Sequence, residues 1–270
     1  VTRAEADQRA GRAGRLAPGV AYRLWGAADH ATRRAHPEPE IEVADLAPLA
    51  LDVAAWGADV DELAWLTAPP PAHLAAARDL LTDLGALDDG TITPHGRALA
   101  TFPTHPRLAQ IVLWGTAHGD TTGAARIAAA LGEHALARRR DLDLADRLRH
   151  LDERTPAAKR ARADAKRFER LAEQTHPTAG ASAEAGSSDK LAITSAAASA
   201  PPPQPGPTNA KHWSSDKLAM ASAGAGFPDR IGSRRDRRGE FVLANGRGAF
   251  VDETSPLADA DFICAIELDG

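Results

Sequence analysis

Near the start of the chain, Gln8-Arg9-Ala10-Gly11-Arg12-Ala13-Gly14-Arg15 sets three arginines and a glutamine around two glycines. A guanidinium is a planar fork of donors that meets phosphate oxygens two at a time. Glycine lets the backbone pass close to a ligand. A glutamine followed by arginines at a regular short spacing reads as a site reaching toward a polyphosphate. The plainer alternative is a solvated basic helix start. The cluster stands against a chain whose formal net charge is -5, so any nucleic-acid affinity must come from local basic patches and not from the overall field.

Other candidate chemistry is thin. His30 and His36 lie six apart with no third ligand beside them, too few for a metal site. Cys264 is the single cysteine, which excludes an intrachain disulfide framework and a cysteine-rich zinc site. No apolar run approaches the roughly 20 residues of a membrane span, and no signal peptide opens the chain; the expectation is a cytoplasmic protein. The sequence has neither a Gly-x-x-x-x-Gly-Lys-Ser/Thr loop nor an Asp-Glu-x-His box. An arginine cluster without a phosphate-cradling loop is half of a site. The expectation is therefore a piece of a longer protein, with the upstream part elsewhere and no ATP hydrolysis by these residues alone.

The elements that must position the cluster are legible in the pattern. With 270 residues, 43% apolar, 26% charged and only 4% aromatic, the chain predicts several domains of helices packed through small side chains. Gly19 to Trp25 has the apolar density of a short buried strand leaving the cluster, and Pro37-Glu38-Pro39-Glu40 comes next as a solvent-exposed connector. From Asp45, the residues Leu46, Leu49, Val53 and Trp56 form one helical stripe, stopped by Gly57. Asp59 to Leu66 reads as a further short segment. A second helix over Ala72 to Leu84 turns Leu74, Ala77, Leu80, Leu81 and Leu84 inward. A hairpin turning at Asp89-Gly90 comes next, then a helix with Thr93 as N-cap and Pro94 at its first position. Helix, helix, hairpin, helix is a winged-helix order.

Residues 107 to about 175 predict an all-helical bundle, with Leu108, Ile111 and Val112, then Ala124, Ile127, Ala128 and Leu131, then Leu144, Leu148 and Leu151 inward. Arg138-Arg139-Arg140 and the run Lys159, Arg160, Arg162, Lys166, Arg167 and Arg170 are its basic features; a solvated helix face is the ordinary reading of such runs. Residues 176–215 turn to Ala, Ser, Gly, Pro and Thr, the composition of a flexible linker. Ser-Ser-Asp-Lys-Leu-Ala occurs at 187–192 and again at 214–219, for which there is no physical account. From 216 the chain reads as compact again, with Phe241 to Phe250 forming two strands around an Asn-Gly turn.

Taken with its sequels, the arginine cluster resembles motif VI of the DEAH-box superfamily 2 helicases. Pro39-Glu40-Ile41, Asp45-Leu46, Trp65-Leu66 before Pro69-Pro70-Pro71, Leu84-Gly85-Ala86-Leu87, Thr93-Pro94-His95-Gly96-Arg97 and Phe102-Pro103-Thr104-His105-Pro106-Arg107-Leu108 resemble, in order, the segments downstream of that motif in those helicases. Phe227-Pro228-Asp229-Arg230 and Leu243-Ala244-Asn245-Gly246-Arg247-Gly248-Ala249 are similar to the C-terminal domain of the bacterial HrpB type. The resemblance implies a mainly α chain with small β elements. Its parts would be the end of the second RecA-like domain (1–43), a winged helix (44–106), a helical ratchet that lines the RNA channel (107–175), the linker (176–215) and the start of the HrpB-type C-terminal domain (216–270). It further implies that Gln8 and Arg12 approach the γ-phosphate of ATP and that Arg15 is the second arginine-finger position. Arg9, Gly11 and Gly14 complete the nucleotide-facing motif. ATP and Mg²⁺ would be held mainly by a first RecA-like domain, and the partner would be RNA. A winged-helix module binding nucleic acid without enzymatic activity is the rival from another class; its second helix offers only Arg78 for reading bases.

Overall fold

The computed structural model describes residues 1–137, 143–175 and 215–266. The Arg138–Arg140 triplet, most of the linker and the 187–192 hexapeptide lie outside the described residues. Those described are mainly α-helical with two small antiparallel sheets. They divide into two units, one of Val1–Leu46 with Ala64–Leu74 and one of Ala47–Leu63 with the chain from Ala75 onward. No helix among them is long and apolar enough to cross a membrane.

In the first unit, α1 (Arg3–Ala13) begins with a reciprocal cap. The Glu5 backbone N–H donates to the Thr2 hydroxyl at 3.3 Å, and the Thr2 N–H donates to the Glu5 carboxylate at 2.6 Å. Those bonds to Thr2 hold the Glu5 carboxyl below its ordinary range. Two more donors of the first turn, the N–H groups of Arg3 and Ala4, meet the carbonyls of Arg34 (2.9 Å) and Ala35 (3.0 Å), so the chain returning from α2 (Ala27–Thr32) closes over the start of α1. A four-residue helix, α3 (Glu40–Val43), comes after it.

The strand expected from Gly19 to Trp25 is not formed. Those residues have neither helix nor strand structure, and Tyr22 and Leu24 are 86% and 94% exposed. A strand needs a neighbouring edge to satisfy its ladder, and no described strand pairs with this segment.

In the second unit, α4 (Ala47–Trp56) buries Ala47, Ala50, Leu51 and Val53. Trp56, expected on that stripe, is 76% exposed, because the buried face turns one residue toward Ala50 and Leu51. Gly57 ends the helix at φ +85°. Asp59 to Leu66 condenses to one 3-10 turn, Val60–Glu62, capped by Asp59. Then α5 (Pro71–Asp83), whose residues to Leu74 count with the first unit, buries Leu74, Ala77, Leu80 and Leu81, and Leu84 is buried just past its end. The hairpin of β1 (Leu87–Asp88) and β2 (Thr91–Ile92) turns through Asp89 at φ 46° and Gly90 at φ 74°, the left-handed pair that such a two-residue turn requires. Thr93 caps α6 (Pro94–Ala100) through the Gly96 N–H at 2.9 Å.

The helical layer is α7 (Pro106–Ala117), α8 (Thr121–Gly132), α9 (Leu144–Leu151) and α10 (Pro156–Thr175). The predicted apolar positions of α7 and α8 are buried, as is Leu151; Leu144 and Leu148 are half-buried. A helix absent from the sequence reading, α11 (Ser215–Gly226), packs on α7. It leads into a four-stranded sheet in the order β5-β4-β3-β6, formed by β3 (Ile231–Arg234), β4 (Glu240–Leu243), β5 (Gly248–Phe250) and β6 (Phe262–Cys264). The two predicted strands are β4 and β5; β3 (Ile-Gly-Ser-Arg) and β6 (Phe-Ile-Cys) lack the flanking Asn-Gly turn that marks the other two. Phe241, Leu243 and Ala249 form this sheet's own small core with Val251, Ile263 and Ala265.

Candidate nucleotide-facing site

Gln8, Arg9, Gly11 and Arg12 lie on α1, Gly14 is its C-cap and Arg15 comes just after the cap. At 3.6 residues per turn Gln8 and Arg12 share a face. All six residues are exposed, and no hydrogen bond or ion pair holds Gln8, Arg9, Arg12 or Arg15 among the described residues. Neighbouring arginines of the same unit behave differently. Arg23 donates to Asp7 at 2.5 Å and contacts His30 at 3.1 Å. Arg33 donates to the Val1 carbonyl at 3.0 Å and lies 4.4 Å over the Trp25 ring. Arg34 pairs with Glu38. The unit spends Arg23, Arg33 and Arg34 internally and leaves the motif arginines open.

The motif glycines are not demanded by the chain around them. A Cβ at Gly11 would meet nothing within 4 Å, and at Gly14 only the Ala17 carbonyl at 4.0 Å. A glycine inside a helix costs about 0.5–1 kcal/mol relative to alanine, so Gly11 keeps open a surface at a cost that this unit does not explain. Gly19 is the opposite case. A Cβ there would lie 1.8 Å from the Ala13 carbonyl oxygen, so the loop after the motif is pinned against the end of α1 only because residue 19 has no side chain.

Sequence reasoning missed the brace that sets this loop: Asp7–Arg23, the Trp25 indole N–H to His30 at 3.4 Å, and Arg33 on Trp25. Contacts between separate segments leave no local pattern, whereas the Thr2-x-x-Glu5 cap was a readable local signal that went unused. Among the described residues no group of three or more His, Cys, Asp or Glu could hold a metal ion. The donor set fits the oxygens of a triphosphate, not its cation.

The basic run on α10 is only partly open. Lys159, Lys166, Arg167 and Arg170 are exposed. Arg160 is bonded to Glu133 at 2.8 Å, and Arg162 donates to the carbonyls of Leu151 and Glu153. Arg78, the one base-reading candidate on α5, is held by Asp59 at 3.0 Å and Asp61 at 3.3 Å, which argues against sequence-specific readout by that helix.

Comparison with known proteins agrees with this architecture. Residues 77–104 match the winged-helix part of the helicase associated domain (HA2). The chain is 31% identical over 266 residues to the ATP-dependent RNA helicase HrpB of Escherichia coli K12, a match spanning 98% of this chain and 28% of that protein. It is 34% identical over 138 residues to the ATP-dependent RNA helicase HrpA of the same organism, covering 48% of this chain and 11% of HrpA. The crystal structure of the E. coli DExH-box NTPase HrpB superposes with a TM-score of 0.64 at 28% identity, covering 98% of this chain and 28% of that one. The chain thus spans between about a tenth and about three-tenths of the length of these relatives. A winged-helix segment, a helical layer and a small sheet in this order, aligned over nearly all of this chain with part of one relative, match the chain to the C-terminal region of the HrpB-type DEAH-box RNA helicases.

Proposed function

We propose that the chain works within an ATP-dependent RNA helicase, presenting Arg12 and Arg15 to a triphosphate carried by a separate nucleotide-binding domain. In this reading residues 1–43 close the second RecA-like domain, 44–106 are the winged helix and 107–175 the ratchet. Residues 176–215 are then a linker, and 216–270 begin the HrpB-type C-terminal domain. The observation that carries it is the contrast in the first unit, where Gln8, Arg9, Arg12 and Arg15 are exposed and unpaired while Arg23, Arg33 and Arg34 are engaged.

ATP with Mg²⁺ would supply the phosphoryl group whose transfer to water drives the cycle. Toward it, this chain's part is orientation and charge. Gln8 and Arg12 bind the terminal phosphate edge, and Arg15 meets the charge that develops there as the two domains close. Gly11 and Gly14 let the α1 backbone approach without a methyl group in between. Exposed Lys159, Lys166, Arg167 and Arg170 give the RNA backbone a sequence-independent contact. The setting is the cytoplasm.

The test is RNA-stimulated ATP hydrolysis by a helicase polypeptide that contains this chain, carrying Arg12→Ala. Loss of one arginine finger is expected to lower turnover about 10³–10⁵-fold. Wild-type turnover would rule the role out.

A further inference from the structure

The small sheet has a core of its own, and among the described residues a buried ion pair ties it to the helical layer. Arg107, in the first turn of α7, is buried. Its Nη1 donates to Asp229 Oδ1 at 2.5 Å and its Nη2 to Oδ2 at 3.0 Å, while Nη1 also reaches the Gly226 carbonyl at 3.2 Å. Between these partners stands Phe227, with the Arg107 guanidinium 5.1 Å and the Arg230 guanidinium 5.5 Å from its ring centroid. Arg230 in turn donates to the Ile266 carbonyl at 2.7 Å, and the Asn245 N–H meets the Asp229 carbonyl at 3.2 Å. One short segment therefore ties the end of α11, the β4–β5 turn and the chain after β6 to the first turn of α7.

The approach is close as well as charged. A Cβ at Gly226 would sit 2.5 Å from the Arg107 carbonyl and 2.7 Å from Ile111 Cγ1. Asp83, at the end of α5, feels the same junction. Partial desolvation and then the Asp229 and Asp79 charges raise its pKa, against a lowering by Arg107. A buried ion pair adds little net stability over apolar packing, but it accepts one geometry and penalises the loss of either half.

We propose that Arg107 and Asp229 form a positioning latch that fixes the C-terminal sheet in one orientation on α7, so that the winged-helix segment, the helical layer and the sheet move as one body during RNA translocation. The coupling role rests on the helicase reading; the latch itself does not. Breaking it frees the sheet while each core stays folded.

Cys264 on β6 is the built-in reporter, since it is the only thiol. Burial and then the nearby Asp229 push its pKa up to about 11, from an ordinary 9.0, against a smaller lowering by the Arg107 and Arg230 charges. Arg107→Lys keeps the former charge, so the reporter reads burial. At pH 8 a full return to the ordinary value would raise the thiolate fraction about 100-fold while intrinsic nucleophilicity fell by a little under tenfold. About tenfold faster exchange with a small aromatic disulfide is therefore the upper limit, reached only if all of the burial and the Asp229 charge are relieved.

The experiment measures that exchange on the 270-residue chain, with circular dichroism as the folding control. Arg107→Lys keeps the charge but loses the fork, and is expected to exchange several-fold faster, up to about tenfold. The swap Arg107→Asp with Asp229→Arg is expected to return the rate to within about threefold of wild type. Equal rates for wild type and Arg107→Lys overturn the latch. Where Arg107→Lys loses helical signal, the swap decides alone: wild-type exchange upholds the latch and accelerated exchange overturns it. In a helicase polypeptide containing this chain, Arg107→Lys is expected to lower base pairs unwound per ATP hydrolysed at least about threefold with turnover retained. Faster Cys264 exchange with unchanged coupling overturns the coupling role alone. An active Arg12→Ala enzyme would instead overturn the nucleotide-site reading and leave the thiol result standing.

Discussion

Gly115 lies where α7 crosses α8, and adding one methyl group there should show how tightly the helical layer is built. A Cβ on Gly115 would fall 2.2 Å from the Ala124 Cβ and 3.0 Å from the Asp120 carbonyl oxygen. Carbon atoms rest at about 3.5–4.0 Å, so the helices must separate locally by about 1.5 Å, and both Gly115 and Ala124 are buried. Overpacking of this kind costs about 1–3 kcal/mol, against a gain of about 0.5–1 kcal/mol for alanine over glycine inside a helix. Gly115→Ala should therefore destabilise by about 1 kcal/mol and at most about 2.5 kcal/mol, seen as a lower urea midpoint at unchanged slope. Moving the methyl across the interface, with Gly115→Ala and Ala124→Gly together, should bring stability back to within about 0.5 kcal/mol of wild type. The cycle then yields a coupling energy near 2 kcal/mol between residues in contact. If Gly115→Ala were as stable as wild type or more so, helix propensity would have won and the close crossing would be refuted.

Two further outcomes rest on the same structure. Gly11→Ala, placed where a methyl meets nothing within 4 Å, should stabilise α1 by about 0.5–1 kcal/mol yet lower RNA-stimulated ATP turnover of the helicase about 10²-fold by holding the phosphate away; a variant both more helical and fully active would contradict the site. Asp83→Asn should raise the urea midpoint at pH 7. The folded-state pKa is raised above 3.8, so ionisation burdens the fold above that raised value and no longer does so below 3.8. The gain should be small, because the residue is exposed, and should vanish as the pH falls to 3.8; a gain that persists or grows in acid would refute the assignment.

How much could be read in advance differed by region for physical reasons. The winged-helix segment was legible almost residue by residue, because Leu74 to Leu84 keeps a strong helical period. The turn at Asp89-Gly90 and the cap at Thr93-Pro94 are likewise local chemistry. Trp56 misled because the spacing from Leu46 and Leu49 set the stripe about one residue out of phase with the face that is buried. The segment from Gly19 to Trp25 misled because apolar density reports a wish to pair, and pairing needs a neighbour. For α11 the obstacle was composition: small residues such as Ala221, Ser222, Ala223 and Gly224 carry no period, yet they allow the helix to lie close on α7. At the candidate site, the exposure of Gln8, Arg9, Arg12 and Arg15 and their freedom from internal partners were not legible in local pattern. Nor was Arg107–Asp229, which joins positions 122 apart.

The exposed run after the motif has a consequence for the life of the polypeptide on its way to the native state. Val20, Tyr22 and Leu24 fall at every second position, so an extended backbone would bring three greasy side chains to one side. Unpaired runs of this kind template self-association into fibrillar or amorphous clumps. Pro18, which cannot donate to a ladder, and Arg23, committed to Asp7, interrupt it as gatekeepers. Removing either would trade a small local change for a chain more prone to precipitate before it finishes folding.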